Sequence, residues 1–239
     1  MTCIRSIGSG LTMISSEWLR LFASLAVLAT LFGSYAAAAP KDLTDGEFSR
    51  LLMKAENGSL SAQTEIAKAY AAGRSGSVNY QEAARWYRRA ADQGDPDSQT
   101  NLGVLYLLGQ GVIHDDLQAF RWFQRAAASD YPLGLHNLGI MYSNGWGVVK
   151  DPQHGLELLL RAANAGVEVS QVNVALAYMN GGAGPQDPEL AVKWLKRAVK
   201  HGFAPANFIL GIAYETGQGT KVDLGKAAEL YRKAAEQKK

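Results

Sequence analysis

Four histidines are the first residues to weigh for chemistry, because two of them a turn apart on one helix can hold a metal ion. His114 and His154 fall in loop segments, His136 stands early in one helical pattern, and His201 ends another. No pair has the spacing of a metal site, so the four read as surface or locally bonded side chains. Asp115, Asp151, Asp187 and Asp223 form a second candidate set, each 36 residues after the last, which raises the idea of a calcium array. Calcium takes roughly six to eight oxygens, and no acidic partners cluster around these residues. Each instead stands immediately before a helical pattern, where a carboxylate accepts from the open N–H groups of the first turn. The Gly-x-Gly segments at 109–111, 145–147 and 217–219 could cradle phosphate. They follow helical patterns and lead to no Lys-Ser or Lys-Thr, so turn geometry explains them better. Gly-x-Ser-x-Gly, Ser-x-x-Lys and His-Glu-x-x-His are all absent. The expectation is a chain with no enzymatic machinery, no metal and no cofactor.

These residues belong to a repeat of 36 residues that runs without slippage. Tyr70, Tyr106, Tyr142, Tyr178 and Tyr214 share that spacing, and so do Gly73, Gly109, Gly145, Gly181 and Gly217. Ile66, Leu102, Leu138, Val174 and Leu210 form an apolar column, followed by the small column Ala67, Gly103, Gly139, Ala175 and Gly211. Within one copy, Leu102, Leu105, Tyr106 and Gly109 recur at three- and four-residue steps, as do Ala119, Trp122, Phe123 and Ala126. Two helices joined by a glycine turn make a hairpin, which cannot bury its apolar face alone and must stack on its neighbours. The period therefore predicts an all-α, right-handed α/α superhelix (a solenoid) of five helical hairpins, with repeats starting at 62, 98, 134, 170 and 206. Gly58 and Ala55 lie 36 residues before Gly94 and Ala91, so Glu47 to Gly58 is expected to be an N-terminal cap helix within segment 39–61. Eleven helices and no sheet are expected in all. The fourth copy departs from the others in its loop, Gly181-Gly182-Ala183-Gly184-Pro185.

Composition narrows the function class. The chain has 239 residues, 19% charged and 47% hydrophobic, and its net charge of +2 is too small to imply a nucleic-acid partner. Leu21 to Ala39 carries no charge, follows Arg20, and contains Ala36-Ala37-Ala38, which fits a secretory signal ending at residue 38. An uncleaved membrane anchor is the alternative, since 19 uncharged residues reach spanning length. Met1 and Met13 both stand as candidate starts. The single cysteine, Cys3, lies before the apolar run, so the mature chain has no thiol chemistry. A periplasmic or secreted protein is expected.

The unit A-x3-L-G-x2-Y-x2-G-x-G-V, continued by A-x2-W-[YF]-x-[RK]-A-A-x-x-G and best seen from Ser98 to Asp130, resembles the Sel-one-like repeat family. That family is a relative of the roughly 34-residue tetratricopeptide repeat, and the likeness extends over about residues 44 to 239. It implies a scaffold or adaptor that joins proteins in signalling, secretion or envelope assembly. Cysteine-rich members bind penicillin-like ligands, but this chain lacks their cysteines. A cell-wall-active hydrolase or penicillin-like-ligand binder is one alternative. A subunit of polysaccharide export is another, suggested by the basic column Arg89, Arg125, Arg161, Arg197 and Lys233.

By analogy with tetratricopeptide stacks, the first helices line a concave groove for a protein or peptide partner. Counting the small residue of Gly103's column as position eight, three positions point inward. Position five contributes Thr100, His136, Val172 and Phe208; position nine Val104, Ile140, Leu176 and Ile212; position twelve Leu107 and Met179. The groove so defined is mainly apolar and suits an apolar helix or extended segment. Trp146 is a further candidate, because neighbouring copies carry Gln110, Gly182 or Gln218 at its loop position and the stack does not require a ring there.

Overall fold

Asp115 accepts a hydrogen bond from the backbone N–H of Gln118 at 2.9 Å, and its counterparts cap their helices in the same way. Asn79 accepts from Glu82, Asp151 from His154, Asp187 from Leu190 and Asp223 from Lys226. Pro152 and Pro188 follow two of these caps as first helical residues, where a missing N–H costs nothing. The carboxylate column is thus a set of helix starts. At the other end of each hairpin's opening helix, Gly73, Gly109, Gly145, Gly181 and Gly217 adopt the left-handed conformation that closes the last turn.

The computed structural model describes residues 43–74 and 76–236. Among them are eleven helices and no strand. A cap helix α1 (Asp45–Glu56) precedes five hairpins: α2 (Leu60–Ala72) with α3 (Tyr80–Asp92), α4 (Pro96–Leu108) with α5 (Asp116–Ala128), α6 (Pro132–Asn144) with α7 (Pro152–Asn164), α8 (Glu168–Asn180) with α9 (Pro188–Lys200), and α10 (Ala204–Thr216) with α11 (Leu224–Glu236). The all-α solenoid read from the period is the observed fold. The secretory segment, 1–38, lies outside the described residues. No helix among the described residues is long and apolar enough to cross a membrane.

The small columns set the spacing between helices. A Cβ on Gly103 would lie 2.6 Å from the Phe123 ring, and one on Gly211 equally close to Tyr231. In the third hairpin Gly139 and Gly155 face each other, and a Cβ on Gly155 would stand 2.7 Å from the Gly139 carbonyl. Large residues fill what the glycines leave open: Tyr87, Phe123, Leu102, Leu105, Met141 and Leu195 are fully buried.

The cap helix is finished differently from the interior. Thr44 and Glu47 form a capping box, which starts α1 at Asp45. Glu47, Arg50 and Lys54 are exposed, although their counterparts Ala83, Trp86 and Ala90 are buried in the first hairpin. Phe48 keeps the inward face apolar and meets Tyr70 edge-on at 5.4 Å. One face of α1 therefore joins the stack while the other is solvated.

Candidate partner-binding surface

Glutamines and arginines tie each hairpin to the one before it. Gln63, Gln99 and Gln171, buried near the starts of α2, α4 and α8, donate to the carbonyls of Ala55, Ala91 and Ala163 at 3.1, 3.1 and 3.2 Å. These carbonyls lie in the last turns of the preceding helices, where each also accepts the backbone N–H of Gly58, Gly94 or Gly166. The basic column works at the same seams. Arg125 donates to the Ala91 carbonyl and lies 3.7 Å from Asp92, Arg161 pairs with Asp130, and Arg197 donates to the side chain and carbonyl of Asn164. Arg89, Arg125 and Arg197 also lie over the rings of Trp86, Trp122 and Trp194 of their own helices. The column that suggested polysaccharide binding thus has work within the stack. Lys233, its last member, pairs with Glu229.

The histidines go to four unrelated places. His114 contacts Asp116 at 3.1 Å, and His201 reaches Gln171. His154 belongs to the first turn of α7 and not to a loop, and it packs edge-on against Tyr142 and contacts Glu157. His136 is buried in α6, where Nδ1 lies 2.8 Å from Ser170 Oγ of α8 and Nε2 has no partner. Burial lowers its pKa to about 4. Among the described residues no group of three or more His, Cys, Asp or Glu is arranged to hold a metal ion.

Seven of the eleven residues expected to line the groove are buried in the stack: Thr100, Val104, His136, Ile140, Val172, Leu176 and Met179. The physical reason is the stacking direction. Position five meets position three of the following first helix, as Thr64 does with Ser98 at 3.0 Å and His136 with Ser170. Neighbouring first helices thereby close over most of the apolar row. Leu107, Trp146, Phe208 and Ile212 remain half-buried and open to contact. Phe208 packs against the Tyr231 ring at 5.5 Å.

A second row on the first helices was overlooked by the sequence reading. Asn101, Asn137 and Asn173 repeat at 36 residues, about half a helical turn around from the glycine column that faces the second helix. Asn101 turns its amide back to Asp97, while Asn137 is half-exposed, and Asn144 and Asn180 lie exposed two turns on from Asn137 and Asn173. Leu108 and Leu133 are half-buried on the same side. The accessible strip is thus a mixture of amides and leucines, and its spacing was visible in the sequence.

An array of 36-residue helical hairpins, clamped one to the next, defines a repeat solenoid. The Sel1 repeat profile matches residues 60–95, 96–131, 132–167, 169–203 and 204–239, and the chain belongs to that family. The Sel1 repeat is a non-catalytic interaction module. A Sel1 repeat protein from Oxalobacter formigenes has a similar structure, with a TM-score of 0.74 and 28% identity over 79% of this chain and 75% of that one. The protective antigen c5321 of uropathogenic Escherichia coli, an SLR-fold protein, has a TM-score of 0.63 and 26% identity over 80% of this chain and 48% of its own. The immunity protein Pa5087 from Pseudomonas aeruginosa shares the fold alone, with a TM-score of 0.57 and 19% identity over 87% of this chain and 81% of its own. No curated protein sequence matches the chain.

Proposed function

We propose that this chain is a non-enzymatic adaptor of the bacterial envelope, exported by its N-terminal segment, which holds part of a protein partner against its first helices. The observation that carries the reading is the strip left open after stacking. Leu107, Leu108, Leu133 and Ile212 stay half-buried on first helices of the stack, which also carry the accessible Asn137, Asn144 and Asn180. Half-buried leucines provide area that a partner can dehydrate, and primary amides offer both donors and acceptors to its backbone. The aspartate column is engaged in helix caps, and Arg125, Arg161 and Arg197 are engaged at the seams, which favours binding over turnover.

Immobilised wild-type chain and Leu107→Asp are to be compared for capture of envelope proteins, read by mass spectrometry. A protein retained by the wild type and lost with Leu107→Asp, both proteins being folded by circular dichroism, agrees with the adaptor reading. Capture that ignores the substitution rejects this face.

A further inference from the structure

Charge is divided between the two helices of the hairpins. The five second helices carry thirteen Lys or Arg against seven Asp or Glu, and the five first helices carry one against four. The excess is uneven. In α9 four cations, Lys193, Lys196, Arg197 and Lys200, face a single carboxylate, Glu189. Lys193, Lys196 and Lys200 are exposed, and none has a carboxylate within ion-pair distance among the described residues. Their three- and four-residue spacing puts them in one stripe about 10 Å long.

Two other features single out this hairpin. Trp194 is half-buried, whereas its counterparts Trp86 and Trp122 are only 2% and 5% exposed. The loop before α9 also differs. In the second, third and fifth copies a glycine, Gly111, Gly147 or Gly219, sits against the first residue of the preceding second helix, so closely that a Cβ would lie within 2.4 Å of its carbonyl oxygen. The fourth copy has Ala183 at that phase. Stacking alone demands none of these departures, since the other hairpins stack without them.

The width of the stripe indicates what fits it. At the positions of Lys193, Lys196 and Lys200, the preceding second helix has Glu157, Leu160 and Asn164, and the following one has Glu229, Arg232 and Glu236. Glu157 therefore stands on one side of the basic stripe, and Glu229 and Glu236, paired with Lys233 and Arg232, stand on the other. A broad anionic surface, such as a membrane, would press its headgroups against them. A single helix with carboxylates at matching spacing would meet the lysines, with Trp194, about 100° around α9 from Lys193, as an apolar flank. Arg197 is already held by Asn164 and Trp194, and Lys196 lies over the Tyr214 ring at 5.8 Å, so the charges without a carboxylate partner are lysine ammonium groups, which do not demand the bidentate geometry of phosphate.

We infer that the outer face of the fourth hairpin, formed by Lys193, Lys196 and Lys200 and flanked by Trp194, is a docking site for an acidic helix of a protein partner. It lies on the second helices and does not depend on the first-helix strip.

The test measures binding of a fluorescent helical peptide, with Glu at three- and four-residue spacing, to the purified chain at low and physiological salt. Anionic vesicles of phosphatidylglycerol with phosphatidylcholine, and polygalacturonate, serve as the competing ligands. The variant Lys193→Glu/Lys196→Glu/Lys200→Glu is expected to weaken the peptide tenfold or more, while Arg85→Glu/Arg121→Glu leaves it within twofold. The neutral variant Lys193→Gln/Lys196→Gln/Lys200→Gln gives the same reading should the charge reversal disturb folding. Absence of peptide binding, equal loss in both charge-reversal variants, or preference for vesicles or polygalacturonate would overturn the inference.

Discussion

His136 Nδ1 lies 2.8 Å from Ser170 Oγ, a side-chain bond that crosses from the third hairpin to the fourth deep inside the stack. In the first hairpin the same phase joins Thr64 to Ser98. A titratable ring thus occupies a seam position that a hydroxyl fills elsewhere.

That substitution predicts an acid-sensitive seam. The folded-state pKa of His136 is lowered to about 4 by burial, from an ordinary value of 6.5. The unfolded chain therefore binds a proton that the folded chain rejects, and stability falls as pH drops from 6.5 towards 4. Between pH 7.5 and pH 5 the loss is about 2 kcal/mol, measured by urea unfolding. His136→Thr should flatten this part of the pH dependence; an unchanged slope would place the titrating group elsewhere.

The second loop glycine should be intolerant of a side chain. A Cβ on Gly111 would stand 2.2 Å from the carbonyl of Tyr80, and its φ is +69°. Gly94 also has a positive φ, +96°, but nothing within 4 Å of the added atom. Gly94→Ala should cost about 1 kcal/mol in conformation alone, and Gly111→Ala at least about 2 kcal/mol more through the clash. Equal losses in thermal unfolding would remove the contact from the account.

The Ala91 carbonyl receives both Gln99 and Arg125, from different helices. Gln99 is buried and Arg125 is exposed, so Gln99→Ala should cost about 1–2 kcal/mol and Arg125→Ala less than about 1 kcal/mol. Because they share an acceptor, the double variant should depart from additivity; strict additivity in denaturant unfolding would mean that the two act separately.

The period made the architecture legible. Five copies of Tyr106 and Gly109 defined the hairpin, and the caps at Asp115 and its counterparts followed from their place before a helix. What the period could not reveal is the tilt between neighbouring hairpins. A position's angle around α8 is readable from sequence, yet whether Leu176 meets solvent or α10 depends on how the next hairpin leans. The same limit hid the partners of the basic column. Arg161 and Arg197 bond residues 31 and 33 positions upstream, and no local pattern connects such pairs. The spacing of Asn101, Asn137 and Asn173 is legible in the sequence, whereas the half-exposure of Asn137 beside the burial of the other two depends on that same tilt.

Burial separates two residues that the sequence had treated alike. Met179 is 2% exposed and Leu107 is half-buried. Met179→Asp should destabilise the chain by about 3 kcal/mol or more, and Leu107→Asp by no more than about half of that. A chain that kept its melting temperature with Asp at 179 would contradict the packing described.

Site-specific photo-cross-linking tests the central claim most directly. A photoreactive residue is placed at 107, 137 or 144 on the first helices, or at 121 or 157 on the second helices, and the protein is irradiated in envelope extract. The adaptor reading predicts one discrete protein adduct from 107, 137 and 144 and none of that product from 121 or 157. No adduct from the first-helix positions, with or without one from the others, would contradict it.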